Sequence, residues 1–244
     1  MEADLRVNEM EGVLSELVDA ARQCFAADLV LAALYGSAAE DRLRPGSDVN
    51  VLFVLESFDA AKADAFRPAL RTAHAALRVQ VMILLCAELS AASELFAVKF
   101  NDIRTRHRML HGPDLLKELV IDEAELKRRL REVLLNLAMR LRERYAMVSL
   151  REEQLVTVIA DAAPPLRASA MALLKLRGVE ASSLRVALET VVAGTGNAAF
   201  SAAVATLPQA RQEQRLPPGV AGPAVLALSQ LATHLREQLE GGAE

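Results

Sequence analysis

Three short apolar runs, LVLAALYG (29–36), VNVLFVL (49–55) and RVQVMILL (78–85), confine what the first half of this chain can become. Each is rich in Val, Leu and Ile and too short for a buried helix, so each predicts a buried strand. Helical periods separate the runs. Met10, Val13, Leu14, Leu17, Val18, Ala21 and Phe25 recur at helical spacing before the first run, and Phe58 to Ala76 reads as a helix between the second and third. Ser37 to Leu43 predicts a short helix, Ala87 to Val98 a further one, and Phe100 to Leu110 short irregular extended segments. Strands alternating with helices predict an α/β layout, with helices packed on a small sheet.

The rhythm changes near Leu115 to Ile121, and from Asp122 onward only helical periods remain. Asp122 with Glu125 has the form of a capping box, with acids at the positive end of a helix. Leu130, Val133, Leu134, Leu137 and Leu141 then line one face. A second helix is predicted over about Glu152 to Arg177, kinked or interrupted at Pro164-Pro165 because neither proline donates a helix hydrogen bond. Shorter helices follow near Ser183 to Ala193 and Asn197 to Thr206. A Pro/Gly-rich loop comes next, and a last helix covers about Ala224 to Glu240. Long amphipathic helices joined by short links predict a helical bundle. The expected domains are 1–117 and 118–244.

Composition narrows the function. Hydrophobic residues make up 52% of the 244, enough for a sizeable core, while Trp is absent and aromatics amount to 4%, so Ala, Leu and Val must do the packing. A formal net charge of −4 argues against a nucleic-acid partner. Cys24 and Cys86 sit in apolar contexts without metal-ligand spacing and read as reduced core residues. The acidic N-terminus is not a secretory signal, and the run VMILLCA falls far short of the roughly 20 residues that span a bilayer, so a cytoplasmic protein without membrane association is expected.

The chemistry concentrates between the first two strands. Gly36 ends a strand and can take backbone angles closed to other residues. Ser37 is then expected to open a helix, where free amides and a hydroxyl at the N-terminus suit a phosphate. Asp48 opens the next strand after a Pro-Gly-Ser turn, and Asn50, two positions on, is expected to share its face. Two carboxylates at this spacing, with a third on a neighbouring strand, would hold Mg²⁺ through oxygen ligands and substrate phosphates.

Gly36-Ser37, then Ser47-Asp48-x-Asn50, then VLFVL, resembles the DNA polymerase beta nucleotidyltransferase superfamily. LRPGSDVNVLFVL is most similar to its aminoglycoside nucleotidyltransferase-like branch, and FNDIRTRHRMLHGPDLL resembles the segment leading out of the catalytic domain there. The resemblance implies an α/β (α+β) nucleotidyltransferase fold with a small mixed sheet, followed by an all-α helical bundle. It implies a Gly36-Ser37 pair that holds the triphosphate of ATP or another NTP. Asp48 takes the place of the first Mg²⁺ carboxylate and Asn50 that of the second, while Gln80 is the candidate for the third, which helps activate the incoming hydroxyl. Asn50 and Gln80 are both amides. An amide keeps a carbonyl oxygen but loses the charge and cannot accept a proton. AAEDR stands where the superfamily often has a further glycine. Arg42 and Arg44 lie close enough in sequence to reach a triphosphate, and Glu40 and Asp41 are candidate substitute carboxylates.

The remaining polar clusters have plainer readings. His107 and His111 are expected on the surface or in a substrate cleft, and the run Arg104, Arg106, Arg108 along a solvated edge. The bundle arginines alternate with glutamates as on exposed helix faces. His234 has no arginine at the spacing of the RNase motif found in some appended helical domains. Two functions lead. One is an Mg²⁺-dependent nucleotidyltransferase that moves a nucleoside monophosphate from an NTP to a hydroxyl of a small molecule or protein. The other is a pseudoenzyme of that fold, binding a nucleotide or a partner. An assembly module built on the bundle, with a homodimer allowed, is the third.

Overall fold

The computed structural model of the chain describes residues 2–40 and 48–240, with side chains from 8 to 39 and from 48 onward. Two compact units are present, Met1–Leu95 with Phe100–Val120, and Phe96–Lys99 with Ile121–Glu244.

The first unit is built on a four-stranded sheet. Its elements are α1 (Glu2–Phe25), β1 (Leu29–Tyr35), β2 (Val49–Leu55), α2 (Ala60–Leu77), β3 (Val79–Leu85), α3 (Leu89–Leu95), α4 (Ala97–Thr105, in this unit from Phe100 on) and β4 (His107–His111). The strand order is β3-β2-β1-β4. β1 runs antiparallel to β2 and β4, and β2 runs parallel to β3. A parallel pair needs a crossover, which α2 supplies.

Alternation along the strands loads both faces. On one face Leu34, Val51 and Phe53 pack with Leu14, Leu17 and Phe25 of α1 and with Phe66 of α2. Phe66 anchors this layer, meeting Phe25 and Phe53 edge-on at centroid distances of 5.4 and 5.5 Å. On the other face Leu31, Ala33, Leu52 and Val54 pack against Leu89, Ile103 and Leu116. Cys24 and Cys86 are free thiols, half-buried beside these two layers rather than inside them.

One local expectation changes. Residues 100–110 are not irregular: α4 continues to Thr105, and β4 then joins the sheet. HRMLH has little apolar alternation of its own, so β4 is a strand because β1 offers it a ladder, with Tyr35 opposite His107 and Ala33 opposite Met109. The turn after β1 begins as a 3-10 helix, Gly36–Glu40, and the rest of the helix expected to Leu43 lies outside the described residues. The chain leaves β4 at Gly112, whose φ is 77°, and a Cβ there would lie 2.1 Å from the backbone oxygen of Val30. Only glycine fits that crossing.

The second unit contains α5 (Glu123–Val148), α6 (Glu152–Leu176), α7 (Leu184–Ala193), α8 (Ala198–Glu213) and α9 (Ala221–Gln238). Asp122 caps α5 by accepting from the Glu125 amide at 2.9 Å. Leu126, Leu130, Leu134, Leu137 and Leu141 are buried along α5, which packs against α6 and α9. Pro164-Pro165 do not interrupt α6, which runs as one helix through them. Leu155, Ile159, Leu166, Ala170 and Leu173 are buried on either side of the prolines. That packing holds the helix, although the carbonyls of Ala160 and Asp161 lose their usual amide donors. Neither residue is buried, so water can take their place. α8 likewise extends past Pro208 into the segment expected to be loop. Among the described residues, no helix is long and apolar enough to cross a membrane.

Candidate functional site

A row of polar residues crosses the whole sheet at the end where β1 gives way to its turn. His107 pairs with Tyr35, Tyr35 with Asn50, and Asn50 with Gln80, one residue from each strand in the order β4, β1, β2, β3. Residues directly opposite in a ladder point to the same face. The row therefore lies on the face that carries Leu52, Val54, Met82 and Leu84, one step beyond the apolar layer.

Asn50 is half-buried and Gln80 exposed. Gly36 caps the row with φ at 82°, and a Cβ on it would stand 3.7 Å from Nδ2 of Asn50. The glycine turn and the first amide are thus neighbours. Ser37, half-buried, continues the turn. Burial pushes the Tyr35 phenol above its ordinary pKa.

Asp48 stands just before β2 and is exposed. It is not free to act as a bare carboxylate. Nε of Arg78 donates to Asp48 Oδ1 at 3.1 Å. The register explains the contact: Val49 pairs with Val79, so Asp48 and Arg78 are the residues preceding two adjacent parallel strands. The backbone of Arg78 is fixed at both ends. It caps α2 in the left-handed conformation (φ 52°, ψ 38°), with its amide donating to His74 O at 2.8 Å, and it leads directly into β3. Sequence reasoning passed over Arg78, which looks like the first letter of an apolar strand. The signal was there: in a parallel pair whose strands start together, the residue before one start faces the residue before the other.

His107 differs from its surface reading, since its side chain is 3% exposed. Nδ1 faces the carbonyl oxygen of Ile103 at 2.8 Å, and Nε2 faces Asp114 Oδ1 at 2.8 Å. Both ring nitrogens are occupied by the protein. For Asp114, burial pushes the carboxyl up, but hydrogen bonds from His107 and Lys117 outweigh it and hold it below the usual carboxylate range. The nearby arginines are also engaged. Arg104 donates to Leu119 O, Arg106 grips Asp102 through two nitrogens, and Arg108 reaches both oxygens of Glu11.

Arg42, Arg44 and Asp41 lie outside the described residues, as does the side chain of Glu40. The others divide into two adjoining groups: Gly36, Ser37, Asn50 and Gln80 around the end of the row, and Asp48 with Arg78 two positions before it.

This donor set does not fit Mg²⁺. The ion wants carboxylate oxygens in near-octahedral array. Asn50 and Gln80 offer neutral amides, and Asp48 is already paired with a guanidinium. Among the described residues no group of three or more His, Cys, Asp or Glu could hold a metal.

The helical unit carries a separate groove of about 320 Å³ between α5 and α6, with Leu141, Val158 and Pro165 on its walls and Arg140, Arg144 and Asp161 at its polar edge. Arg140 and Arg144 are exposed, as helix-face charges should be.

No protein-family model matches the sequence, and no curated protein does. Among solved structures, the chain is similar to spectinomycin adenyltransferase AAD(9) from Enterococcus faecialis, solved with ATP and spectinomycin. The TM-score is 0.63 at 12% sequence identity, over 94% of this chain and 99% of that one. The chain therefore has the fold of an aminoglycoside nucleotidyltransferase, the fold that its Gly-Ser and Asp-x-Asn spacing resembles.

Proposed function

We propose that this protein binds a nucleoside triphosphate, ATP or a close relative, at the polar end of the sheet in its first unit, and that it holds the nucleotide without transferring a nucleotidyl group. One observation carries this reading: Asn50 and Gln80 stand directly opposite each other on adjacent strands, where transfer chemistry in this fold calls for carboxylates. Neither amide can accept a proton from an incoming hydroxyl. Loss of a positioned general base costs roughly 10² to 10⁴ in rate. The metal-binding function of the same cluster is weakened by the same two changes, so the losses fall on one unit.

The nucleotide half of the reading draws on different features. Gly36 and Ser37 keep the glycine turn beside the amide row. The adenyltransferase of similar fold was solved with ATP. A transferase that passes a nucleoside monophosphate to a small-molecule hydroxyl would instead need further carboxylates beside Asp48 to hold the metal, and its neighbours Asn50 and Gln80 are neutral amides.

Calorimetric titration with ATP, followed by incubation with radiolabelled ATP and a panel of aminoglycoside hydroxyl acceptors, tests both halves. Saturable binding with no labelled product is expected. Absence of ATP binding overturns the nucleotide half, and a labelled acceptor overturns the claim that no group is transferred.

A further inference from the structure

The misfit between this donor set and Mg²⁺ points to what replaces the metal. Resting on the nucleotide-binding reading, we infer that Arg78 supplies the positive charge for the phosphates of the bound nucleotide, and that Asp48 is its displaceable counter-ion in the free protein.

The guanidinium is placed for this. Among the described residues, its hydrogen bond to Asp48 runs through Nε, and 63% of the side chain is exposed to solvent. A planar fork of donors matches a phosphate better than a point charge does. Arg78 and Asp48 sit one position before the Val49–Val79 pair, and Asn50 and Gln80 one position after it. Two strand residues span about 7 Å, so an arginine side chain rooted at Arg78 can reach the neighbourhood of the amides and of Gly36. The root does not drift, because its backbone is tied to the end of α2 and the start of β3.

Charge decides what the cluster attracts. Asp48 and Arg78 cancel, and Asn50 and Gln80 carry none. From these four residues a divalent cation meets no net negative charge. A polyphosphate meets a guanidinium whose present partner is weak. The pair is exposed, at 63% for Arg78 and 44% for Asp48. Such exposed pairs contribute little. A triphosphate carries several negative charges and can take the arginine from a single carboxylate. Binding then releases Asp48 to solvent and needs no metal.

The sign of the Asp48 effect separates this from metal binding. If Asp48 ligates Mg²⁺, removing its charge weakens ATP. If Asp48 competes with phosphate for Arg78, removing its charge strengthens ATP. The experiment is calorimetric titration of the full chain with ATP, and separately with sodium tripolyphosphate, in EDTA and in excess Mg²⁺, on the wild type, Asp48→Asn, Arg78→Gly and Arg78→Asn. Glycine and asparagine both tolerate the left-handed backbone of position 78, so the fold is kept while the guanidinium goes. Melting curves of the variants verify that.

We expect ATP to bind at least as well in EDTA as in Mg²⁺. Asp48→Asn should tighten it several-fold, and both Arg78 variants should weaken it at least tenfold. Three outcomes overturn the inference and leave nucleotide binding standing: binding that requires Mg²⁺, weakening by Asp48→Asn, or indifference to Arg78. Tripolyphosphate binding through Arg78 without ATP binding would keep the role of the arginine and sink the nucleotide reading. No binding of either ligand in any condition sinks both.

Discussion

At the scale of single residues, the site is defined by substitutions that keep shape and remove charge. Asn50 and Gln80 are close in size to Asp and Glu, so the reverse changes should be tolerated. Asn50→Asp with Gln80→Glu would set two new carboxylates opposite each other beside Asp48. Mg²⁺ should then raise ATP affinity by about tenfold or more, a gain of about 1.4 kcal/mol. A double variant as indifferent to Mg²⁺ as the wild type would mean that the cluster geometry, not its charge, excludes the metal. Gly112 makes a steric prediction. Alanine there drives a Cβ into the Val30 carbonyl at an already left-handed angle, so Gly112→Ala should lower the melting temperature sharply or prevent soluble expression. Asp114 makes a pH prediction. Its folded pKa is depressed, so its contribution to stability is complete above the unfolded value of about 3.9 and fades as pH falls through the folded one. Asp114→Asn should cost about 1 kcal/mol at neutral pH, since an amide oxygen can still accept from the buried His107 but carries no charge. The gap between urea melts of the two proteins should begin to close only as pH falls below about 4 and keep closing into stronger acid. A gap that persists unchanged into strong acid would mean that packing, not charge, explains the loss.

Elements differ in how openly the sequence announces them. β1, β2 and β3 were legible because each is a Val/Leu/Ile run, although β3, at the edge of the sheet, buries only Val79 fully where a buried strand was expected. The start of α5 was legible because Asp122 is a local capping signal. β4 was not, because its pairing partner is more than seventy positions upstream and its own letters are mostly polar. The continuity of α6 was hidden for the same kind of reason: proline's local penalty is visible in the sequence, and the packing that outweighs it is not. That penalty should still be measurable. Pro165→Ala returns an amide donor to the Asp161 carbonyl, and Pro164→Ala does so for Ala160. Each should stabilise the protein, by no more than the roughly 3 kcal/mol that proline costs inside a helix. A lower melting temperature in either variant would mean that the ring itself packs usefully. Arg78 was missed on similar grounds. Its cap, its strand start and its ion pair become one feature only once β2 and β3 are side by side.

For the whole molecule, the two units each hold a core of their own, and the candidate site belongs to the first alone. The fold is recognisable at 12% identity because the pattern of buried strands and helix faces can persist while the letters change. The site is where the letters matter one by one, so likeness of fold leaves the chemistry to Asp48, Asn50, Arg78 and Gln80. Ligand binding should be visible as stability. A nucleotide at one hundred times its dissociation constant adds about 2.7 kcal/mol to the unit that binds it. If the units melt separately, ATP in EDTA should raise the transition of the first unit and leave the helical one where it was. The polar row also gives this chain an optical handle. It has no Trp and only two Tyr. Tyr145 lies in the helical unit beside Gly222, while Tyr35 sits in the row between His107 and Asn50. With Tyr145 changed to Phe, all tyrosine emission would come from one phenol in the polar row, and the protein would report its own ligand without a dye.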